Sequence, residues 1–322
     1  MSDASGARGR SRLRAVVVGA AAGGGLPQWN CNGPGGRPFW TGAARMPPAT
    51  QSSLAVGLVD GRDDDWREAD KALINASPDL RAQIMARPAL QPRDPDRFGL
   101  RDSPIASVLL TNGDIDHVAG LLTLREGQAF RLLATPGIHD VLRANPIFEA
   151  LSAVVTREAV GLGEPFALLD GVEARLFAVP GKVPLYLEGE TVETDLQGEQ
   201  TVGVEIRAGG KRIAYVPGCA RMTGRLAERL SGADVVLFDG TVFEDDEMRR
   251  AGVGTKTGRR MGHMAMNGAD GSLAAFRDID VGRRIFVHMN NTNPVWDPGS
   301  EARATVEAAG WEIAHDGMEI DP

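Results

Sequence analysis

The chain has 322 residues, 43% of them hydrophobic, which is enough to bury the core of one large domain. Its 43 acidic residues outnumber its 35 basic ones, and the resulting net charge of −8 repels nucleic-acid backbones. No apolar run approaches the ~20 residues of a membrane span, and the two distant cysteines, Cys31 and Cys219, match no disulfide framework. We therefore expect a cytoplasmic protein that binds neither nucleic acid nor membranes.

The first half of the chain predicts strands separated by loops and short helices. The arginine-rich segment 1–12 is predicted to be a disordered tail. Residues 13–322 are predicted to form a single domain. Glycines follow the first strand, but Leu26-Pro27 stands where the helix of a dinucleotide-binding loop would have to begin, so we reject that function. Apolar and β-branched runs predict strands at residues 13–18, 52–59, 72–75, 108–110 and 130–134. Helices are predicted to begin at Pro78, at Val118 and at Pro136.

The second half of the chain continues this alternation. Strands are predicted at residues 172–179, 201–207, 212–216, 235–239, 284–288 and 311–314. Helices are predicted at residues 226–230, 245–250, 271–276 and 300–309. Strands separated by helices in both halves, with no convincing linker between them, predict an α/β sandwich.

Chemistry-bearing side chains follow the strand predicted at residues 108–110. The turn Thr111-Asn112-Gly113 ends this strand, and Asp114, Asp116 and His117 come directly after it. In open α/β folds, ligands bind at the carboxyl ends of strands. A plain alternative is that one Asp caps the following helix, although capping does not need the adjacent His.

Two more buried strands are predicted to end in such groups, at Asp239 and at His288. Each has a plain alternative, a turn residue for Asp239 and a buried core histidine for His288. Together with Asp116 and His117, they form the ligand set of a non-haem Fe(II) site with open positions for oxygen and substrate. The same atoms could hold zinc and activate water, and the residue types alone do not choose between the metals. His139, on a predicted helix, is expected to be structural.

The stretch 111–117 resembles the His-x-His-x-Asp-His motif of the metallo-β-lactamase superfamily, and Asp239 and His288 resemble its later ligands. From about Val16 onward, the chain also resembles the PqqB family of pyrroloquinoline quinone (PQQ) biosynthesis proteins. The matching stretches keep the same order, at residues 23–32, 74–79, 115–122, 238–248, 261–264 and 288–294. The resemblance implies an αβ/βα sandwich of two mixed β-sheets with helices on the outer faces.

Departures from the superfamily pattern narrow the expected metal site. Asn112 and Asp114 replace its first two histidines, and residues 179–185 contain no third. We therefore expect the first metal position to be empty or weak, and the second to hold one metal. The ligands of the second position are expected to be Asp116, His117, Asp239 and His288. His263 resembles an additional histidine of the tRNA-processing members, and with Asp114 it is our candidate for a catalytic or substrate-contacting role.

One departure concerns the PqqB family itself, whose further cysteines after the position of Cys31 make a structural zinc site. Here residues 32–37 contain no second thiol, and one thiolate cannot close a zinc site. We expect the structural zinc to be absent and the loop to be held by packing of Trp29, Phe39 or Trp40.

The resemblance implies a role in making PQQ from a peptide-derived Glu–Tyr precursor. The leading hypothesis is an Fe(II)- and O2-dependent hydroxylase of the tyrosine ring, with zinc possible in the purified protein. One alternative is a carrier for PQQ or its precursor, and another is a zinc-dependent hydrolase. The expected partners are the Glu–Tyr substrate and O2, with a homodimer as a possible assembly.

Overall fold

The computed structural model describes residues 11–59, 63–188, 193 and 195–322. In this part of the chain the strands are β1 (Arg12–Gly19), β2 (Ser53–Val59), β3 (Lys71–Ile74), β4 (Ile105–Leu109), β5 (Phe130–Ala134), β6 (Val155–Ala159), β7 (Pro165–Leu169), β8 (Val172–Ala178), β9 (Val202–Ala208), β10 (Lys211–Val216), β11 (Ala233–Asp239), β12 (Val281–Val287), β13 (Trp311–Ile313) and β14 (Glu319–Ile320). Most of the predicted tail, residues 1–10, lies outside the described residues, so that expectation stays a prediction.

Short helices connect these strands. The α-helices are α1 (Arg37–Trp40), α2 (Asp63–Glu68), α3 (Leu80–Ala86), α4 (Pro95–Phe98), α5 (Ile115–Val118), α6 (Pro136–Arg143), α7 (Gly224–Leu230), α8 (Glu247–Arg250), α9 (Gly258–Met261), α10 (Ser272–Ala275) and α11 (Glu301–Ala308). The 3-10 helices are Pro88–Leu90, Ala119–Arg125, Pro146–Leu151, Leu185–Leu187 and Pro294–Trp296. No helix in the described ranges combines the length and the apolar composition needed to cross a bilayer.

The strands form two seven-stranded mixed sheets. The first has the order β14-β1-β2-β3-β4-β5-β6, and the second β13-β12-β11-β10-β9-β8-β7. In the first sheet, the strands from β3 to β6 run parallel, and in the second the strands from β10 to β13 do so, while the other neighbouring pairs are antiparallel. This architecture confirms the predicted α/β class with two mixed sheets.

Residues of both sheets pack into one large hydrophobic core, and strands such as β4 and β11 are largely buried along their length. Two polar contacts also join the sheets inside the protein. The Ser52 and Tyr215 hydroxyls lie 2.9 Å apart, and the Ser107 hydroxyl donates to the Leu168 carbonyl at 2.8 Å. Satisfied polar pairs of this kind fix the relative position of the sheets without leaving a buried group unbonded.

The structure corrects two predicted helix starts. The helix expected to begin at Val118 begins three residues earlier, because the Asp114 carbonyl already accepts hydrogen bonds from the amides of His117 and Val118. The helix expected to have Pro78 as its first residue begins at Leu80. Asp79 stands at its N-cap position, but its carboxylate accepts from the Gln51 amide at 2.9 Å and makes no cap bond.

Candidate metal centre

The candidate site forms where the carboxyl ends of strands from both sheets meet. In the first sheet, β4 is followed by a turn and by α5, which carries Asp116 and His117. In the second sheet, β11 ends at Asp239 and its parallel neighbour β12 ends one residue before His288. The Asp116 carboxylate of the first sheet lies 3.1 Å from Nε2 of His288 in the second.

Asp116, His117 and His288 form a group able to hold a metal ion, since their ligand atoms all lie within 4.8 Å of one another. Oδ2 of Asp116 lies 3.1 Å from Nε2 of His288 and 3.9 Å from Nε2 of His117. The two imidazole rings are 5.3 Å apart and meet edge to face. Both histidines are buried, while 16% of the Asp116 side chain is exposed, so the group reaches solvent beside the carboxylate.

His117 is held with one nitrogen free. Its Nδ1 lies 2.7 Å from Oδ1 of Asn112, an oxygen that also accepts from the Asp114 amide at 2.9 Å. An amide oxygen only accepts, so Nδ1 carries the proton and Nε2 keeps its lone pair. That Nε2 is buried and has no hydrogen-bond partner among the described residues. A buried, unpaired acceptor is costly, whereas a metal-ligating imidazole requires one, so the residues present fit a bound metal.

His288 is held in a similar way by Thr241. The Thr241 hydroxyl donates to Oδ1 of Asp239 at 2.7 Å and lies 2.8 Å from Nδ1 of His288. Because its proton is committed to Asp239, the hydroxyl oxygen accepts from Nδ1, which leaves Nε2 of His288 facing Asp116. The His288 backbone has φ of 59°, a left-handed conformation that is rare outside glycine and is concentrated at functional sites.

Asp239 is fully buried, and four hydrogen bonds reach its carboxylate. Oδ1 accepts from the amide and the hydroxyl of Thr241, and Oδ2 accepts from the Cys219 amide at 2.8 Å and from Nδ1 of His263 at 2.7 Å. Asp239, His263 and His288 make up a second group with metal-binding spacing. Both histidines of this group also contact the Thr241 hydroxyl, so its members are already bonded to one another through that hydroxyl.

The charges at the centre favour a cation. Burial alone would raise the pKa of Asp116, but the imidazoles of His117 and His288 outweigh it and hold that pKa well below its usual value. Burial lowers the pKa of His117 to about 4, against the pull of Asp116. For His288, burial is outweighed by the hydrogen bond to Asp116, and the pKa is raised. At neutral pH, Asp116 is therefore anionic and His117 is neutral with a lone pair available.

His263 lies between the metal-binding group and a large cavity. It follows α9 through Gly262, and its ring stacks on that of His288 at 5.2 Å. The cavity beside it has a volume of about 700 Å³. Its charged lining residues are Asp195, Glu244, Asp245, Asp270, Arg221 and Arg259.

Asp114 occupies the N-cap position of α5, but its side chain makes no cap hydrogen bond, so simple capping does not account for it. It lies near Tyr186, whose hydroxyl donates to the Gly113 carbonyl at 2.6 Å. Burial, together with the Asp114 carboxylate, raises the pKa of Tyr186. Asp114 and Tyr186 therefore lie near each other beside the turn that precedes the metal-binding group.

Two other sequence expectations can be compared with the structure. Nε2 of His139 contacts the Glu158 carbonyl at 2.9 Å inside the protein, which fits the expected structural role. Of the aromatic side chains expected to hold the loop after Cys31, Phe39 packs against the hydrophobic core, whereas 82% of Trp29 is exposed. Trp40 instead donates its indole N–H to the Cys31 carbonyl at 2.7 Å. The Cys31 sulfur accepts from Asn291 at 3.1 Å, and the absence of a structural zinc stays a prediction.

Sequence reasoning missed the residues that orient the histidines. Thr241 lies in the Asp-Gly-Thr turn after β11, and its composition showed only a turn. Asn75, with φ of 63°, holds the turn before Asn112 by accepting from the Thr111 amide at 2.9 Å and donating to its hydroxyl at 2.8 Å. An Asn directly after an apolar strand is a weak signal for this backbone conformation.

Comparisons with known proteins show the family to which the chain belongs. A family model described as the beta-lactamase superfamily domain matches residues 71–289. Coenzyme PQQ synthesis protein B of Methylobacterium sp. (strain 4-46) is 58% identical over 309 residues, which are 96% of this chain and 99% of the relative. The chain belongs to the coenzyme PQQ synthesis protein B family. A family member from Ruegeria pomeroyi (strain ATCC 700808 / DSM 15171 / DSS-3) is 53% identical over 96% of this chain and 99% of its own.

Solved structures extend the comparison to the fold. The crystal structure of Zn²⁺-bound PqqB from Methylobacterium extorquens matches with a TM-score of 0.90 and 55% identity, covering 96% of this chain and 100% of that one. A diphosphatase of the PhnP family matches with a TM-score of 0.63 at 20% identity, over 97% of this chain and 98% of that one, and shares the fold alone. Membership of the coenzyme PQQ synthesis protein B family confirms the sequence resemblance and the metallo-β-lactamase fold.

Proposed function

We propose that this protein acts in PQQ biosynthesis as an Fe(II)- and O2-dependent hydroxylase of the tyrosine ring in a Glu–Tyr precursor. The names of its relatives, coenzyme PQQ synthesis protein B, support the pathway. The observation that supports the reaction is the group of two imidazoles and one carboxylate, with the buried Nε2 of His117 unpaired among the described residues. This donor set is typical of non-haem Fe(II) oxygenases.

A mononuclear site is favoured over a two-metal hydrolase. In the second group, the Asp239 carboxylate already accepts four hydrogen bonds, and two of its donors are Thr241 and His263. Because the four lone-pair directions of a carboxylate are then occupied, Asp239 is better placed to orient its neighbours than to bind a second metal. The M. extorquens relative is Zn²⁺-bound, and imidazole and carboxylate ligands of the kind found here also bind Zn²⁺.

The proposed roles follow from the contacts. Asp116, His117 and His288 would hold the metal, while Asp239 would anchor His263 and Thr241. When bound, Fe(II) supplies the redox chemistry with O2, in which one oxygen atom enters the ring, the other leaves as water, and an external two-electron reductant supplies the remaining electrons. His263, with Nδ1 bonded to Asp239, keeps Nε2 to accept the proton that leaves the substrate. Asp114 and Tyr186 would contact the substrate.

The test is O2 uptake after anaerobic loading with Fe(II), using the Glu–Tyr dipeptide as substrate and ascorbate as reductant. Product carrying one added oxygen atom is expected from the wild-type protein and from His139→Ala, whose imidazole lies away from the centre. His117→Ala is expected to lose the activity. Equal uptake by wild type and His117→Ala would refute the hydroxylase. Tight binding of the quinone that survives loss of both His117 and His288 would instead favour the carrier.

A further inference from the structure

A cluster of three charged side chains lies next to the metal centre, and the roles assigned so far do not use it. The Lys182 ammonium lies 2.8 Å from the Glu188 carboxylate, and the Arg260 guanidinium donates to the same carboxylate at 3.0 Å. The exposed fractions of these side chains are 11% for Lys182, 8% for Glu188 and 40% for Arg260. The cluster therefore holds two cations for one carboxylate and is partly withdrawn from water.

Its contacts place this cluster beside the centre on two sides. The Lys182 stem packs against Gly262, where an added Cβ would lie 3.2 Å from Cγ of Lys182, and His263 follows directly. The Lys182 carbonyl accepts from the Thr201 hydroxyl at 3.1 Å. Thr201 in turn pairs with Asn112, the residue that bonds His117. Lys182 thus lies between the segments that carry Asn112 and His263.

Arg260 has an unused donor. Its Nη1 is buried and has no hydrogen-bond partner among the described residues, although Nη2 is bonded to Glu188. An unsatisfied guanidinium N–H is costly inside a protein, and a carboxylate acceptor satisfies it with a charge-assisted bond. With a second cation, Lys182, at the same carboxylate, the excess positive charge points to an anionic ligand.

The large cavity beside His263 does not offer an equivalent site for an anion. Four carboxylates line it against two guanidinium groups, and one of these, Arg221, is already paired with Asp195 at 2.7 Å. An acidic substrate would be repelled there, since like charges at short range oppose binding. A carboxylate therefore favours the side of the centre that Lys182 and Arg260 occupy.

We propose that Lys182 and Arg260 form a carboxylate-binding subsite that holds an acidic group of the substrate beside the metal centre. The identity of that substrate rests on the proposed function, whereas the preference for a carboxylate rests on the cluster alone. Both residues then act as specificity determinants, because a neutral analogue would leave the Arg260 donor unpaired.

Binding without turnover tests the subsite. Zn²⁺-loaded protein is titrated calorimetrically with Glu–Tyr and with Gln–Tyr amide, an analogue that lacks both carboxylates. Wild type is expected to bind Glu–Tyr at least about tenfold more tightly than the amide, the range of one charge-assisted hydrogen bond. Arg260→Gln and Lys182→Gln are expected to lose that preference, and Arg260→Lys to keep part of it. Lys211→Gln, which removes a surface cation paired with Asp234, is the matched control.

Each outcome decides the proposal. Equal affinity of wild type for the two peptides, or no binding of either, overturns the subsite. This result depends on wild type alone and not on whether a variant folds. An unchanged preference in both Arg260→Gln and Lys182→Gln also overturns it. If the preference is lost in these variants while no ring hydroxylation is detected in wild type, the subsite stands and the hydroxylase fails. If ring hydroxylation is detected in wild type while both variants keep the preference for Glu–Tyr, the hydroxylase stands and the subsite fails.

Discussion

Asn112 and Thr241 decide how the two histidines of the metal centre are presented. Each binds Nδ1 of one imidazole, at 2.7 Å for His117 and 2.8 Å for His288. Both contacts leave Nε2 for the shared space beside Asp116. By the resemblance to the superfamily motif, Asn112 occupies the position of a histidine, and its side-chain oxygen here contacts Nδ1 of His117. Outer contacts of this kind fix ring orientation and raise ligand basicity.

Replacing Thr241 tests whether its hydroxyl group orients His288 for metal binding. Thr241→Val removes the acceptor for His288 Nδ1 and the donor to Asp239 with little change in shape, so we expect Zn²⁺ affinity to fall by about tenfold to a hundredfold. Thr241→Ser keeps the hydroxyl and is expected to stay near wild type. Competition with a chromophoric chelator measures both affinities. Equal affinities for the Val and Ser variants would contradict the orienting role.

The buried carboxylate of Glu247, which is not one of the proposed metal ligands, is expected to make the free energy of unfolding depend on pH. This carboxylate accepts from the Phe243 amide and the Thr292 hydroxyl, each at 2.7 Å, and burial raises its pKa to about 7. The folded protein therefore binds this proton more tightly than the unfolded chain, and the cost of ionising Glu247 grows as the pH rises from about 4.5 to 7.

Glu247→Gln is expected to remove this cost while keeping an acceptor oxygen. Relative to wild type, the free energy of unfolding of the variant should increase between pH 4.5 and 7, by up to roughly 3 kcal/mol, and then remain constant. Urea denaturation of metal-free protein at pH 5 and pH 8 measures the difference. A difference between the two proteins that does not change with pH would show that Glu247 titrates normally.

At the scale of elements, the sequence predicted the positions of those strands and helices that have a clear local pattern of apolar residues. The runs that became β2, β5, β9 and β11 were located within two residues, because apolar and β-branched residues dominate them. β6 was not predicted, because only the first of its five residues is buried and it forms a sheet edge. The helix predicted at residues 300–309 forms as α11, and its N-cap residue Ser300 accepts from the Arg303 amide.

Some residues of the candidate site could likewise be predicted from the sequence, and others could not. Four residues of the site could be proposed from the sequence because each stands at the end of an apolar strand or shortly after it, namely Asp116, His117, Asp239 and His288. Their partners could not, since the contact of Thr241 with His288 spans 47 positions and that of Arg260 with Glu188 spans 72. Polar contacts over such distances leave no periodic trace in a single sequence. Only packing of the elements brings them together.

Gly120 tests how tightly the helical segment behind His117 is packed. A Cβ there would lie 2.1 Å from the Ser77 carbonyl oxygen, a backbone atom that cannot move aside cheaply. We expect Gly120→Ala to lower the free energy of unfolding by about 1–3 kcal/mol. Gly224→Ala is the control, because an added Cβ meets no atom within 4 Å at this first residue of α7. Chemical denaturation of both variants is the measurement, and equal stabilities would contradict the packing argument.

For the whole molecule, the metal centre is a junction between two halves of the chain. Asp116 and His117 follow β4 of the first sheet, and His288 follows β12 of the second, 171 positions after His117. Without metal, the junction is held by the hydrogen bond between Asp116 and His288 and by the buried contacts of the core. A metal that binds this folded arrangement and not the unfolded chain must stabilise both sheets together.

Metal removal should therefore lower the melting temperature of the entire protein in a single transition. At a free Zn²⁺ concentration one hundred times the Kd, binding contributes about 2.7 kcal/mol. In a domain of this size, that corresponds to a shift of roughly 5 °C. Calorimetry with and without a chelator measures the shift, which His139→Ala should retain and His117→Ala should lose. A shift that persists in His117→Ala would place the stabilising ion elsewhere, and a chelator effect on only part of a split transition would mean that the metal does not join the two sheets.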